Sequence, residues 1–317
     1  MKLKERILNK LRDNYRAKRN LGKGLIKSLD SINITVEEYN KLLSDAINSQ
    51  TPFMVSRFGS AEINWYLNYK LLSTNWLRRV RAYVTLEIDV YGKEKTVIND
   101  MTFLPTELDA TKSYIKEVEE SIPQIDVLGT WMRQEQSPVI KFKKDSKFIY
   151  LGHLEPYYSE IPWTKALEGK KVLVIHPMKA SIESQYRRRE MIFSNPEILP
   201  EFKLEVLQAP YFDDPRFGSW EKIMAFYKHE VSKYDFDVAL LGCGSWGMPL
   251  AAYIKKMGKV AVHLGGSTQL LFGIIGTRWE TQWPEFRALD LVNDKWVRPL
   301  KEETPNWAKG FDKNSYW

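Results

Sequence analysis

The chain has 317 residues, a mass of 37.2 kDa and a composition 44% hydrophobic, 27% charged and 13% aromatic, which is apolar enough to close a core and excludes a disordered protein. No stretch reaches the ~18 to 20 uncharged apolar residues of a membrane span. A single cysteine, Cys243, excludes an internal disulfide framework and any all-cysteine zinc site. His153, His176, His229 and His263 show no short metal-ligand spacing, and the first residues lack the apolar segment of a secretory signal. The expectation is a cytoplasmic protein without haem or zinc.

The formal charge of +7 is unevenly placed. Residues 1–28 hold ten bases against Glu5 and Asp13, a local +8, so the rest of the chain stands at −1. A body that close to neutral lacks the basic face a nucleic-acid backbone requires. Within the arm, Leu3, Ile7, Leu11 and Tyr15 recur every four residues, one narrow apolar stripe in a basic helix. Such a helix either lies on an anionic membrane surface or docks on its own protein.

In chain order, 34–48 reads as a helix with Thr35 as N-cap. Residues 53–57 form a short strand, Phe58-Gly59 a turn, and Ser60 to Leu72 a helix. Residues 76–104 are mixed, 108–121 is helical, and 125–128 and 148–151 are strands. From there the pattern sharpens: strands at 172–176, 204–208, 238–241 and 260–264 alternate with helices at 181–193, 220–234 and 249–257. That alternation predicts an α/β fold, a Rossmann-like, mostly parallel sheet with helices on both faces, plus the basic N-terminal helix. Residues 170–270 form one half and 50–170 a less regular half of the same sheet. The organisation expected is an arm over 1–30 and one domain over 31–317.

Four segments fall at strand ends, where open α/β sheets bind ligands. Gly242-Cys243-Gly244-Ser245-Trp246-Gly247 is a G-x-G-x-x-G between strand and helix, suited to a phosphate or to a close helix–sheet crossing. A dinucleotide site expects an acid about 20 residues further on. None occurs between Asp237 and Glu280, which argues against NAD. Gly265-Gly266-Ser267-Thr268-Gln269 offers amides and neutral donors. His176 and Ser181 border the same edge, with Gln185 and Tyr186 in the following helix. In Ser56-Arg57-Phe58-Gly59-Ser60-Ala61-Glu62, the arginine fork suits a diphosphate and the glutamate a general base or metal ligand. Glu155, among Tyr157, Tyr158 and Trp163, is a second candidate base. Asp213-Asp214-Pro215 reads as a turn.

Ser-Arg-Phe-Gly-x-x-Glu after the first strand, the Val-Leu-Val-Ile strand leading to Gln185-Tyr186, and the late strand–Gly-x-Gly–helix–strand–Gly-Gly unit together resemble the GT-D type glycosyltransferases of bacterial polysaccharide and glycoprotein assembly. The resemblance covers short motifs in order over about residues 35–280. It implies a GT-D-like fold and transfer of a sugar from a nucleotide-sugar donor, typically a UDP-sugar, to a saccharide or lipid-linked saccharide acceptor. Arg57, Gly59, His176, Ser181, Gly242, Gly244, Ser245, Gly247, Gly265, Gly266 and Gln269 would border the donor, with Glu62 and Glu155 as catalytic carboxylates. The family places Asp-x-Glu at the first turn for metal and donor binding. Here Ser60 replaces the first carboxylate, so a Mn²⁺ or Mg²⁺ ion would rest on Glu62 alone. A lipid-linked acceptor gives the basic arm a purpose at the inner face of the cell membrane. The competing classes are an NAD(P)-dependent oxidoreductase using the glycine motif and a non-catalytic assembly protein of the membrane surface.

Overall fold

The computed structural model describes residues 3–21, 30–88, 108–308 and 315–317. The chain opens with helix α1 (Leu3–Lys18), then α2 (Val36–Ser49). Thr35 caps α2 as the sequence predicts: its hydroxyl accepts from the Glu38 amide while the Glu38 carboxylate accepts from the Thr35 amide. Strand β1 (Phe53–Arg57) and helix α3 (Ser60–Leu72) have the predicted bounds, as does α5 (Leu108–Ser121). Between them the region read as mixed contains helix α4 (Trp76–Val84), capped by Asn75; residues 89–107 lie outside the described part.

Strand β2 (Val127–Thr130) runs two residues later than the apolar run suggested, and β3 (Lys147–Tyr150) follows. Then come β4 (Lys171–His176), α6 (Lys179–Tyr186), β5 (Lys203–Gln208), α7 (Trp220–Val231), β6 (Val238–Leu241), α8 (Gly247–Lys256) and β7 (Val260–His263). Helix α6 stops at Tyr186, seven residues short of the predicted end. There Gln185 turns back to accept from Arg188 and to donate to the carbonyls of Gly273 and Lys295. In the aromatic C-terminal part the α-helices among the described residues are the short α9 (Thr277–Thr281) and α10 (Pro284–Arg287).

The seven strands form one all-parallel sheet in the order β3-β2-β1-β7-β6-β4-β5. The β1–β7 pairing, Phe53 opposite Val260 and Val55 opposite Val262, joins the early and late halves. Because both of their faces are covered, the inner strands β4, β6 and β7 read as near-continuous apolar runs, unlike the edge strands β3 and β5. In β4, Val172 and Val174 enter one core while Leu173 and Ile175 enter the other. In β6, Val238 and Leu240 divide from Ala239 and Leu241 in the same way. One face is roofed by α3, α5, α7 and α8, through Tyr66, Tyr114, Tyr227 and Leu250 among others. The opposite face is roofed by α2, α6, the Gly265–Phe272 turn, and Trp279, Phe286 and Trp296.

The chain leaving β1, β5 and β6 goes to the first face, and the chain leaving β4 and β7 to the second. The neighbouring pairs β1/β7, β7/β6, β6/β4 and β4/β5 therefore all part in opposite directions at their carboxyl ends, the edge where open α/β sheets form ligand crevices. At the amino ends, Asp126 accepts from the Met54 amide, Lys143 and Lys255, and Asp237 from the Lys171 amide. Those bonds pin the edge away from the crevices. Helix α1 packs on α4 through Leu8 and Arg12, whose guanidinium donates to the carbonyls of Tyr83 and Ile88 at 2.6 Å each. The predicted stripe divides: Ile7 and Leu11 are 53% and 46% exposed, while the Tyr15 hydroxyl accepts from Arg133 at 3.0 Å.

Candidate active site

The β1/β7 crevice is built from Arg57 upward. Strand β1 ends at Arg57, Phe58 is buried, and Gly59 starts α3 in an extended conformation. The Glu62 carboxylate folds back over Gly59, so a Cβ there would fall 1.7 Å from Glu62 Oε2. That position in the first turn of α3 favours negative charge. Across the crevice, Gly265 leaves β7 at φ +66°, and a Cβ on it would lie 2.8 Å from Arg57 Nη1. Only glycine both adopts that conformation cheaply and admits the guanidinium. The same guanidinium carbon lies 5.9 Å from the centre of the Trp131 ring, whose indole N–H donates to the Phe58 carbonyl at 3.2 Å.

Two buried carboxylates flank this arginine and glycine turn. Glu135 stands just beyond β2, its Oε2 accepting from the Thr130 hydroxyl, the Trp131 amide (2.8 Å) and the Met132 amide (2.9 Å). Burial pushes its carboxyl up to about 7, against the opposing pull of those donors and the Arg57 charge. Glu155 is driven by burial to about 8, with the Ser267 hydroxyl pulling the other way. Its contact with Ser267 brings the 155–158 loop to the Gly265-Gly266 turn. Tyr157 of that loop stacks on Phe193, a packing role.

Other predicted positions are engaged within the fold. His176 is buried and neutral, its pKa lowered to about 3 by burial, and its Nδ1 accepts from the Met178 amide at 3.1 Å. Its ring fills the space a Cβ on Gly242 would need. His263, likewise lowered to about 3 by burial and then by Arg57, is hydrogen-bonded through Nδ1 to Ser56 and fills the Cβ space of Gly247. The outer glycines of the G-x-G-x-x-G motif thus make room for two histidine rings, and Gly244 supplies a positive φ of 61°. Ser245 accepts from Trp220 Nε1 at 3.0 Å. Ser181 is taken by Glu303, which accepts from its amide and hydroxyl and from the Ala180 amide. Gln269 is fully buried and donates to the carbonyls of Ile274 and Tyr316. Gly266 lies under the Tyr316 ring.

The structure therefore brings Arg57 against the Gly265-Gly266 turn with Glu155 near Ser267, while the Glu62 carboxylate stays at Gly59, on the side of Tyr114. It turns His176, Ser181, Ser245, Gly247 and Gln269 to internal bonds or packing. Trp131, Glu135, Glu303 and Tyr316 are additions that the motifs did not reveal. The first two sit at a strand end and follow from the same rule that singled out Arg57, once β2 is carried to Thr130. An open cleft of about 470 Å³ lies past β5, lined by Tyr211, Asp213, Asp214, Pro215, Arg216, Pro305 and Asn306. There Asp213-Asp214-Pro215 lies in a turn, as the sequence predicts, and Asp214 pairs with Arg216.

No group of three His, Cys, Asp or Glu side chains converges among the described residues. At the first turn of α3 the donors are one carboxylate and the Ser60 hydroxyl, which do not make a two-carboxylate chelate for a divalent ion. No family model, curated protein or solved structure matches the chain.

Proposed function

We propose that this protein is a glycosyltransferase that moves a sugar from a nucleotide-sugar donor, a UDP-sugar above all, to a saccharide or lipid-linked saccharide in surface polysaccharide assembly. The observation that carries this reading is the Arg57 guanidinium laid against the Gly265 turn at the carboxyl ends of β1 and β7, with the Glu135 carboxyl within reach of its charge. A forked cation beside the backbone of a glycine turn fits a diphosphate, and a nearby carboxyl fits a hydroxyl nucleophile.

The acceptor oxygen attacks the anomeric carbon as the bond from that carbon to the diphosphate breaks, the electron pair leaving with the nucleoside diphosphate. Arg57 and the amides of the Gly265-Gly266 turn stabilise the departing charge. Glu62 at the α3 terminus, or Glu155 by Ser267, takes the hydroxyl proton. Because the first turn offers a single carboxylate, no step is routed through a metal ion. Helix α1 supports a seat on an anionic membrane surface, where a lipid-linked acceptor resides.

A second reading, a non-catalytic assembly protein, is favoured by Tyr316 over Gly266 and Glu303 on Ser181, which cover parts of the edge with the protein's own side chains. The test is a thermal-shift and transfer screen of nucleotide sugars, with and without Mn²⁺. Wild type is expected to be stabilised by UDP and a UDP-sugar. Arg57→Ala is expected to lose that shift and on the order of 100-fold in turnover. A full panel without shift or transfer removes the enzymatic reading.

A further inference from the structure

Two buried polar atoms at neighbouring strand ends have no hydrogen-bond partner among the described residues: Glu135 Oε1 and Arg57 Nε. The β1–β2 register brings their segments together, setting Arg57 opposite Gly129, one residue before Thr130. Glu135 is 4% exposed, and its other oxygen is held by three donors, so the carboxyl cannot swing without breaking all three bonds. Oε1 is thereby fixed in place, buried and without a partner among the described residues. Buried polar atoms in folded proteins are nearly always paired, and an exception marks a missing water, ion or substrate. These two exceptions are complementary, one an acceptor and one a donor. A hydroxyl is the neutral group that satisfies both at once. Trp131 adds a flat aromatic wall beside them, suited to the apolar face of a sugar ring.

The geometry points to Glu135 as the residue that receives the acceptor saccharide's hydroxyl and takes its proton, with Arg57 Nε donating to the same oxygen. This rests on the glycosyl-transfer reading and changes the base within it. The proton passes to Glu135 Oε1 while the hydroxyl oxygen bonds to the anomeric carbon. The bond from that carbon to the diphosphate oxygen breaks, and its electron pair leaves with the nucleoside diphosphate. Arg57 then touches nucleophile and leaving group together, which sets the reacting atoms side by side. The Ser267 hydroxyl beside Glu155 donates to the Leu264 carbonyl, whereas Glu135 presents a buried oxygen with no partner among the described residues. A carboxyl that loses its proton about pH 7 is also matched to base catalysis near neutrality.

The experiment measures transfer from the UDP-sugar to alkyl glycoside acceptors by wild type, Glu135→Gln and Glu135→Asp, with the UDP-induced thermal shift recorded for each. Glu135→Gln is expected to lose on the order of 10²- to 10⁴-fold in kcat with its UDP shift intact, while Glu135→Asp keeps part of the rate. Transfer by Glu135→Gln within about threefold of wild type overturns the assignment. A second measurement needs no variant: the Glu135 carboxyl carbon resonance of the wild-type protein shifts when the acceptor alone is added. A resonance that stays put means that a water satisfies Oε1, and the assignment fails. Wild type with neither UDP shift nor transfer overturns the glycosyl-transfer reading itself.

Discussion

The Glu303 carboxylate closes the first turn of α6 by accepting from both the amide and the hydroxyl of Ser181. It also takes the Ala180 amide at 2.6 Å, while the Leu300 amide donates to the Ser181 oxygen at 3.0 Å. A helix N-terminus at a strand end is where an anion is expected, and here the chain supplies its own.

That arrangement has a measurable consequence. Glu303 is 6% exposed, so its bonds to the helix are made out of water and are charge-assisted. Glu303→Ala is expected to lower stability by about 1–3 kcal/mol in urea unfolding. It also bares three donors, so sulfate is expected to raise its melting temperature more than that of wild type. Equal sulfate responses would show that the α6 terminus is no anion site even when opened.

Two buried carboxyls and two buried histidines oppose each other in pH dependence. Glu135 and Glu155 are raised from 4.5 to about 7 and about 8, so folding favours their protonated forms. Their contribution is complete below pH 4.5 and is lost as pH rises through 7 and 8. His176 and His263 are lowered from 6.5 to about 3, so folding favours their neutral forms. Their contribution is complete above pH 6.5 and is lost as pH falls toward 3. The two pairs offset each other between pH 4.5 and 6.5, giving a broad maximum there. Above 6.5 only the carboxyls act, and stability falls toward pH 8.5. Urea midpoints across that range check the slope, and Glu155→Gln is expected to flatten it. A midpoint that climbs from pH 6.5 to 8.5 contradicts the assignment of both glutamates.

The parallel sheet was legible because β4, β6 and β7 are buried on both faces and carry unbroken aliphatic runs. The turns after them were legible as glycine clusters. What the glycines do was not: Gly242 and Gly247 look like phosphate-loop residues, yet each faces a histidine ring that comes from another strand. Spacing along the chain cannot show a neighbour so distant in sequence. Glu303 and Tyr316 were hidden for the same reason, reaching the sheet edge from a segment without periodicity. Glu135 was missed differently. Gly129 and Thr130 ended the apolar run early, although β2 continues through both because its backbone pairs fully with β3. The arm was half legible: Ile7 and Leu11 of its stripe are exposed, but Tyr15 meets Arg133, and Leu8 and Arg12 make the docked face.

That division of α1 into two faces leads to the last prediction. The inward face is fixed to α4 by Leu8, by the two Arg12 bonds, and by Tyr83 donating to Asn9 at 2.6 Å. Outward stand Ile7 and Leu11 with the exposed bases Lys4, Arg6, Lys10, Lys18 and Arg19. Helix α4 adds Trp76 and Leu77, 62% and 59% exposed, at its first turn. Four large apolar side chains in water beside a cluster of bases match an anionic bilayer, where each base near the surface contributes about 1 kcal/mol. The protein is expected to float with phosphatidylglycerol vesicles at low salt, to detach as salt rises, and to ignore phosphatidylcholine vesicles. Ile7→Asn with Leu11→Asn, and separately Trp76→Ala with Leu77→Ala, are each expected to weaken binding about tenfold, equivalent to about 1.4 kcal/mol. Both pairs lie on exposed surface, so thermal unfolding of the variants is expected to match wild type. If only the α1 pair weakens binding, α1 alone makes the contact. If neither does, or if neutral vesicles bind equally well, the membrane seat is wrong.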